Sequence, residues 1–248
     1  AALRDEYKDN TDSPCFLPGL DYLNNKYTNM RRVRGDGNCF YRSLLFSYLE
    51  NLTIQLSKTS EEATVSAAKQ EYERVLRIVK NSKDDLVAVG YDEFAVESFY
   101  ETFLEFLEEV PAMTPDSLFR RFVEGGEADY YTWYMRLLTA GQLRRQAERF
   151  FPFVDTGVDI DMAGYCSREV EPMGRESEQL HIIALTEYFG LRVAIEYLDG
   201  REFDAAAGLS CICFPQIESN SDSSSAVELC CFELHLLYRP GHYDILYI

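Results

Sequence analysis

Apolar residues recur at helical spacing between residues 39 and 189, which predicts that the first part of the chain is largely helical. The first stretch begins directly after Cys39, and its apolar residues share one helix face: Phe40, Leu44, Leu45, Tyr48, Leu49 and Leu52. A second, long helix is predicted after a capping box over residues 59–62, with a buried stripe from Val65 to Val79. Asp92 is placed to cap a third helix, which Pro111 closes.

Three further helices are predicted after this proline. Thr114 caps a short helix that ends near Gly125, and residues 128–150 and 178–189 are again periodic, with Gly190 closing the last. Trp133 lies among tyrosines in the second of these. Because helical aromatic stripes usually pack inside, we predict a core position for it, with a contact surface as the alternative. Residues 151–174 lose the period and are predicted to form a connecting loop.

The last quarter of the chain has the composition of strands. Residues 192–197, 228–238 and 243–248 are rich in β-branched, aromatic and cysteine residues, and a serine-rich surface loop is predicted over 219–225. Helices followed by strands predict an α+β fold, with an antiparallel sheet packed against the first helix. The length of 248 residues fits one domain over residues 31–248, preceded by a polar arm over 1–30 with at most one short helix.

Charge and cysteine content limit the classes of function. The formal net charge is 24 − 42 = −18, which repels phosphate backbones and excludes nucleic acid as a partner, whereas a basic partner fits. No apolar run approaches the ~18 residues that cross a membrane, and the amino end is unlike a secretory signal. The seven cysteines are expected to be reduced thiols, which predicts a cytoplasmic protein with the nucleus as a second compartment. We expect a monomer.

Cys39 is the best-placed nucleophile. The turn Asp36-Gly37-Asn38 leads directly into the first helix, so Cys39 falls at the helix amino end, where the dipole and free N–H groups favour a thiolate. Backbone N–H groups of the same turn can form an oxyanion hole for acyl transfer. Taken alone, the alternative is an ordinary buried cysteine behind an ordinary turn.

A cysteine nucleophile needs a base and a group that orients the base. His181 lies within a predicted helix and His235 within a strand, positions typical of packing histidines. His242 begins a strand after a Pro-Gly turn, and Asp244, two residues on, shares its face. Together with Cys39 this pair predicts a thiol hydrolase.

Two alternatives compete with this interpretation. Cys211, Cys213, Cys230 and Cys231 suggest a metal site, but their spacing does not fit structural zinc. A papain-like protease acting on ordinary peptides would also place its cysteine before its histidine.

Four motifs in the chain resemble the otubains, a branch of the ovarian-tumour (OTU) cysteine proteases that remove ubiquitin from proteins. The motifs cover residues 36–42, 169–173, 181–185 and 236–247. The resemblance implies a papain-like OTU fold with a mostly antiparallel sheet between helical lobes and the nucleophile at a helix N-terminus. It also implies Cys39 as nucleophile, His242 as general base, Asp244 as the orienting acid and Asp36 in the oxyanion loop of Asp36, Gly37, Asn38 and Cys39, without metal or cofactor.

The reaction that the resemblance implies is hydrolysis of the isopeptide bond between a ubiquitin carboxy-terminal glycine and a lysine, through a thioester on Cys39. Polyubiquitin is the expected substrate, with compact proteasome-targeting chains as the first expectation and extended signalling chains as the second. The arm over residues 1–30 is where family members bind a second ubiquitin. The resemblance also allows a different function, in which the protein binds and inhibits a ubiquitin-conjugating enzyme without cleaving anything.

Overall fold

Helices form the first three quarters of the chain, and most of the sheet comes from the last quarter. The computed structural model describes residues 2–8, 15–58, 62–124, 126–154, 160–201, 203, 207–215 and 229–248. The helices in these ranges are α1 (Ala2–Tyr7), α2 (Phe16–Lys26), α3 (Cys39–Leu56), α4 (Glu62–Ala88), α5 (Glu93–Glu109), α6 (Pro115–Val123), α7 (Glu127–Arg145), α8 (Ala147–Phe150), α9 (Met162–Tyr165) and α10 (Gln179–Phe189). The strands are β1 (Asn29–Arg31), β2 (Arg192–Tyr197), β3 (Ser210–Phe214), β4 (Glu233–Arg239) and β5 (His242–Tyr247).

The helix starts follow the predicted capping residues. Asp92 accepts a hydrogen bond from the Ala95 amide at 3.0 Å, and Thr114 forms a reciprocal capping box with Ser117. Residues 59–61 of the capping box predicted before α4 lie outside the described residues, as does the serine-rich stretch 219–225.

The described parts of the predicted connecting loop, residues 151–154 and 160–174, contain more regular structure than a loop. They contain α9, whose N-cap Asp161 accepts from the Gly164 amide at 2.8 Å, and a π-helical turn over Cys166–Val170. Segments of four and five residues are too short for a helical period to show in the sequence. The prediction for Trp133 was also wrong, because its side chain is 41% exposed on α7.

The sheet has the order β1-β5-β4-β2-β3. Three of its pairings are antiparallel, which confirms a mostly antiparallel α+β fold, whereas β2 and β4 run parallel with Val193 opposite Leu234. The expectation of antiparallel pairing throughout the late strands was therefore wrong at this one position. The reason is β3, which the sequence did not predict. It pairs antiparallel with one edge of β2 and so adds one reversal of direction between β2 and β4. Strand β4 therefore pairs with the other edge of β2 in the parallel direction.

Helix α3 is the centre of the core. Fourteen of its eighteen residues are buried, so it is enclosed on all sides rather than on one face. It packs against β4 and β5 on one side and against α4, α6 and α7 on the others. Cys39 therefore begins a helix that its surroundings hold rigidly.

The amino-terminal arm contains two helices and an edge strand in its described part, so the expectation of at most one short helix was wrong. Phe16, Leu20 and Leu23 of α2 pack on Leu237 and Leu246, on the opposite side of the sheet from α3. Lys26 also donates to the buried Glu196 carboxylate at 2.6 Å. The sheet thus lies between α2 and α3. Within the described ranges, no helix is both long and apolar enough to cross a membrane.

Candidate active site

Cys39 is the first residue of α3 and is 3% exposed. The first amides of a helix have no partner four residues back, so they are available as donors beside this thiol. Gly37 has a φ of +74°, a left-handed conformation that glycine adopts without strain. The sequence prediction of a helix-terminal cysteine after a glycine turn is confirmed in its geometry.

His242 lies beside Cys39, although the two residues are about 200 positions apart in the sequence. Its Nε2 is 2.9 Å from Asp244 Oδ1, which leaves Nδ1 for Cys39. Hydrogen bonds with Asp244 and with Cys39 raise the pKa of His242 to about 9. The imidazolium form is therefore favoured at neutral pH, as expected for a base that holds a thiolate as an ion pair.

Gly35 lies next to the imidazole ring of His242. A Cβ atom at Gly35 would lie 3.4 Å from Nδ1 of His242, so the backbone before the oxyanion loop packs directly against the imidazole ring. A methyl group at this position would make an ordinary van der Waals contact with the ring.

Asp244 is fully buried and orients the imidazole of His242 through the hydrogen bond at Nε2. Its Oδ1 also accepts from the Val33 amide at 3.0 Å, and its Oδ2 accepts from Arg239 Nη2 at 2.6 Å. Burial alone would raise the pKa of Asp244, but hydrogen bonds from His242 and Val33 and the charge of Arg239 overcome burial and lower it. Asp244 is therefore an anion that can orient the ring, as predicted from the His-x-Asp spacing.

Asp36 points its carboxylate at arginines rather than at the thiol. It accepts from Arg34 Nε at 2.7 Å, from Arg42 and from the Asn38 amide at 3.1 Å. Burial would raise the pKa of Asp36, but these bonds, that of Arg42 foremost, lower it to about 2. Its contacts fix the shape of the turn, and its predicted role in the oxyanion loop stays a prediction.

Arg136 of α7 contacts the turn from the other side, and the sequence did not point to it. Its Nε donates to Asn38 Oδ1 at 3.0 Å and its Nη2 donates to the Gly37 carbonyl at 2.8 Å. Nη1 donates to the Val170 carbonyl at 2.9 Å, and Nη2 also bonds the Arg175 carbonyl. One arginine on a helix carries no signal of such a role, because the segments that it joins are distant in sequence.

The other histidines have surroundings of a different kind. His181 is fully buried, its Nδ1 accepts from the Glu178 amide at 3.2 Å, and its Nε2 lies 2.8 Å from the Tyr165 hydroxyl. Burial, with the charge of Arg136, lowers its pKa to about 3, so it is neutral. His235 in β4 has a buried Nδ1 that has no partner among the described residues. Neither histidine joins the Cys39 site.

The cysteines outside the site show no ligand geometry. Burial raises the pKa of Cys166 and of Cys211 to about 12, and it also raises that of Cys230. Among the residues that the structure describes, no group of three or more His, Cys, Asp or Glu side chains is arranged to hold a metal ion.

The described surface has several depressions, two of which differ clearly in character. A cavity of about 920 Å³ reaches Gly174 and Tyr243 and is lined by charged side chains of both signs: Glu169, Glu176, Glu178, Asp199, Arg175 and Arg201. A groove of about 470 Å³ between α5 and α7 is lined by Phe99, Trp133 and Pro172. We call the second depression the aromatic groove.

Comparisons with known proteins agree with this geometry. A family model described as Peptidase C65 Otubain matches residues 1–248. The chain is 35% identical over 237 residues to the human ubiquitin thioesterase OTUB1, covering 95% of this chain and 76% of that protein. It is 33% identical over 252 residues to the Arabidopsis thaliana ovarian tumor domain-containing deubiquitinating enzyme 1, covering 100% of this chain and 78% of that protein.

Solved structures show the same fold. A complex of ceOTUB1 with ubiquitin aldehyde and UBC13~Ub matches with a TM-score of 0.79 and 31% sequence identity, covering 99% of this chain and 89% of that chain. A complex of h/ceOTUB1 with ubiquitin aldehyde and UBCH5B~Ub matches with a TM-score of 0.78, again at 31% identity, covering 99% of this chain and 86% of that chain. With the family model spanning every residue, the resemblance inferred from the sequence motifs is confirmed, and the chain belongs to the otubain family, peptidase C65, a family of cysteine-type deubiquitinating enzymes.

Proposed function

We propose that this protein hydrolyses the isopeptide bond between the ubiquitin carboxy-terminal glycine and a lysine in polyubiquitin. The observation that carries the proposal is the continuous set of hydrogen bonds from Cys39 through His242 to the buried, anionic Asp244. Such a set activates a thiol for acyl transfer without metal or cofactor.

The chemistry follows from the positions of these groups. Cys39 Sγ attacks the glycine carbonyl, and the resulting oxyanion is held by free amides at the start of α3. His242 then gives its proton to the departing lysine amine, the C–N bond breaks, and a thioester to Cys39 remains. His242 next takes a proton from water, the hydroxide attacks the thioester, and ubiquitin leaves with a free carboxylate while the thiol is restored.

We assign the body of ubiquitin to the aromatic groove. Trp133 is 41% exposed there and packs against Phe99 with ring centroids 5.0 Å apart, while Tyr130 is 52% and Phe94 is 85% exposed nearby on the same two helices. Exposed aromatic clusters of this kind mark contact surfaces. The chain's net charge of −18 favours a partner with a basic rim.

Chain-type preference is proposed to favour compact proteasome-targeting chains first and extended signalling chains second. We propose that the arm over residues 1–30 contacts the second ubiquitin. Substitution of exposed residues such as Asp5 in α1 and Lys8 directly after it should then change the ratio of linkages cleaved without changing total activity. An unchanged ratio would contradict this role.

The activity is tested by incubating the protein with a full panel of diubiquitin linkages, followed by gel electrophoresis. Cleavage of at least one linkage by the wild type and of none by Cys39→Ser supports the proposal. Failure to cleave any linkage would contradict it. Equal turnover of short unmodified peptides would instead favour a general papain-like protease.

A second candidate function is binding and inhibition of a ubiquitin-conjugating enzyme without cleavage. The similar structures are complexes that contain UBC13 or UBCH5B, which supports this candidate. Cys39→Ser separates the two functions, because inhibition by binding should survive the loss of the thiol and cleavage should not.

The proposed setting is a monomer in the cytoplasm, with the nucleus as a second compartment. All seven cysteines are free thiols, as expected where glutathione keeps thiols reduced. Light scattering and cell fractionation test these two points, and a stable dimer or a secreted protein would contradict them.

A further inference from the structure

Arg136 is a fully buried cation whose contacts are neutral oxygen atoms. Its guanidinium donates to Asn38 Oδ1 and to the carbonyls of Gly37, Val170 and Arg175, and it stacks on the Tyr41 ring at 4.5 Å. None of the described carboxylates forms a salt bridge with it. A buried charge without an ionic partner is costly, and burial accordingly lowers the pKa of Arg136. We therefore expect Arg136 to have a specific role that outweighs this cost.

Hydrogen bonds from Arg136 and to Asp36 fix the two ends of one peptide group, that between Gly37 and Asn38. Because C=O and N–H point in opposite directions in a trans peptide, fixing the Gly37 carbonyl on Arg136 directs the Asn38 amide away from it. Asp36 Oδ1 accepts that amide at 3.1 Å. The Gly37–Asn38 peptide therefore has little freedom to rotate, and only the Asn38–Cys39 peptide, which carries the Cys39 N–H, lies between it and the nucleophile.

The Asn38 side chain adds a second anchor. Its Oδ1 accepts from Arg136 Nε at 3.0 Å and from the Gly174 amide at 2.9 Å, so it is not used to cap α3. A Cβ atom at Gly37 would lie 2.0 Å from the Gly174 carbonyl oxygen. The turn therefore lies in direct contact with residues 170–175, and Arg136 donates hydrogen bonds to both the turn and this segment.

We propose that Arg136 is a positioning residue that sets the oxyanion loop, Asp36 to Cys39, in the orientation that stabilises the tetrahedral intermediate. The inference rests on the proposed acyl-transfer function, since the loop acts only when an oxyanion forms. Arg136 does not contact the reacting carbonyl. It acts through Gly37 and Asn38.

The test is Arg136→Lys, with Arg74→Lys as the matched control. Arg74 is also buried and donates to a backbone carbonyl, that of Phe189 at 2.6 Å, but it lies on α4 away from the loop. Lysine keeps the charge and loses the planar set of five donors. Loss of one oxyanion donor costs ~10² to 10³ in kcat, so we expect Arg136→Lys to lose about tenfold to 10²-fold in kcat with KM within about threefold. Arg74→Lys should keep its kcat.

Alkylation of Cys39 by iodoacetamide separates positioning from thiol activation, because it needs the thiolate but forms no oxyanion. The alkylation rate and its pH profile should stay within about threefold of wild type in Arg136→Lys. A parallel fall in alkylation and kcat would overturn the proposal, as would a kcat equal to that of Arg74→Lys.

Two additions keep the proposal falsifiable if Arg136→Lys does not fold or if ubiquitin is not the substrate. Asn38→Ala removes the side-chain anchor and should give the same loss of kcat with normal alkylation; an unchanged kcat overturns the proposal. Hydrogen exchange of the peptide over residues 36–40 needs no substrate and should be faster in Arg136→Lys or Asn38→Ala than in Arg74→Lys. If the wild type cleaves no ubiquitin chain, the proposed function fails. The hydrogen-exchange rates over residues 36–40 then test whether Arg136 positions the loop, and equal rates in Arg136→Lys and Arg74→Lys would overturn that role.

Discussion

The surroundings of His242 and of His181 shift the pKa of the same side chain in opposite directions. At His242 a buried carboxylate and a thiol raise it to about 9, whereas at His181 burial and the nearby Arg136 lower it to about 3. His181 is the more completely buried of the two, and its partners, Tyr165 and the Glu178 amide, are neutral.

The difference shows that burial lowers the pKa of a histidine and that suitable partners must outweigh burial before the histidine can serve as a base. His181 lies in a motif that otubains share, yet its hydrogen bonds join the start of α10 to Tyr165 at the end of α9 and do not reach the Cys39 site. His242 owes its role to Asp244, two residues along β5. The following predictions change one partner at a time and are ordered from the largest expected effect to the smallest.

Removing the base itself should have the largest effect. We expect His242→Ala to reduce kcat/KM for diubiquitin by ~10⁵-fold, because a nucleophile and its base act as one unit. His235→Gln is the matched control, a histidine on the adjacent strand that does not contact the site, and it should remain near wild type. Equal losses in the two variants would contradict the assignment of His242.

Removing the orienting charge should have a smaller effect. We expect Asp244→Asn to lower kcat by ~10³-fold, since the amide no longer stabilises the imidazolium. It should also move the alkaline limb of the pH–rate profile from about 9 towards the ordinary histidine value of 6.5. Glu196→Gln, a change at another fully buried carboxylate of the sheet, should leave the profile unchanged.

The two histidines should contribute opposite pH dependences to stability. The raised pKa of His242 means that its contribution is fully present below pH 6.5 and is lost as the pH rises to about 9. The lowered pKa of His181 means that the unfolded state binds the proton first, so stability is lost as the pH falls from 6.5 to about 3. Denaturant unfolding across this range should show a flatter alkaline limb in His242→Ala and a flatter acid limb in His181→Gln. The reverse assignment would contradict both pKa shifts.

The aromatic groove should affect binding alone. Trp133→Ala is expected to raise KM for diubiquitin about five- to tenfold with kcat unchanged, because an exposed aromatic anchor contributes about 1 kcal/mol. Phe153→Ala, another exposed aromatic away from the groove, is the control. A fall in kcat with unchanged KM in Trp133→Ala would contradict the proposal that ubiquitin binds in the aromatic groove.

Local features were predictable because their determinants are adjacent in the sequence. The caps at Asp92 and Thr114, the start of α3 and the shared face of His242 and Asp244 all depend on residues within a few positions of one another. The association of Cys39 with His242 was inferred from their residue types and from a sheet expected to pack against the first helix. The motif resemblance then strengthened it, since spacing alone does not say which distant segments meet.

Features that depend on packing were missed for physical reasons. Trp133 lies on a helix that is buried on most of its faces, and only the arrangement of α5 beside α7 leaves its ring exposed. Strand β3 pairs with β2 across residues 198–209, a connection much longer than a two-residue hairpin turn, so the turn signal Asp199-Gly200 alone did not indicate it. Its pairing changes the direction of β4. Arg136 had no sequence signal at all, because its role exists only once residues 37, 170 and 175 surround it.

The most direct test of the proposed activity is reaction with a ubiquitin that carries a carboxy-terminal electrophile, followed by peptide mapping of the adduct. A single adduct on Cys39, lost in Cys39→Ser and in His242→Ala and retained in His235→Gln, is the expected result. An adduct on any other cysteine, or undiminished labelling of His242→Ala, would contradict the assignment of Cys39 and His242 as the catalytic pair.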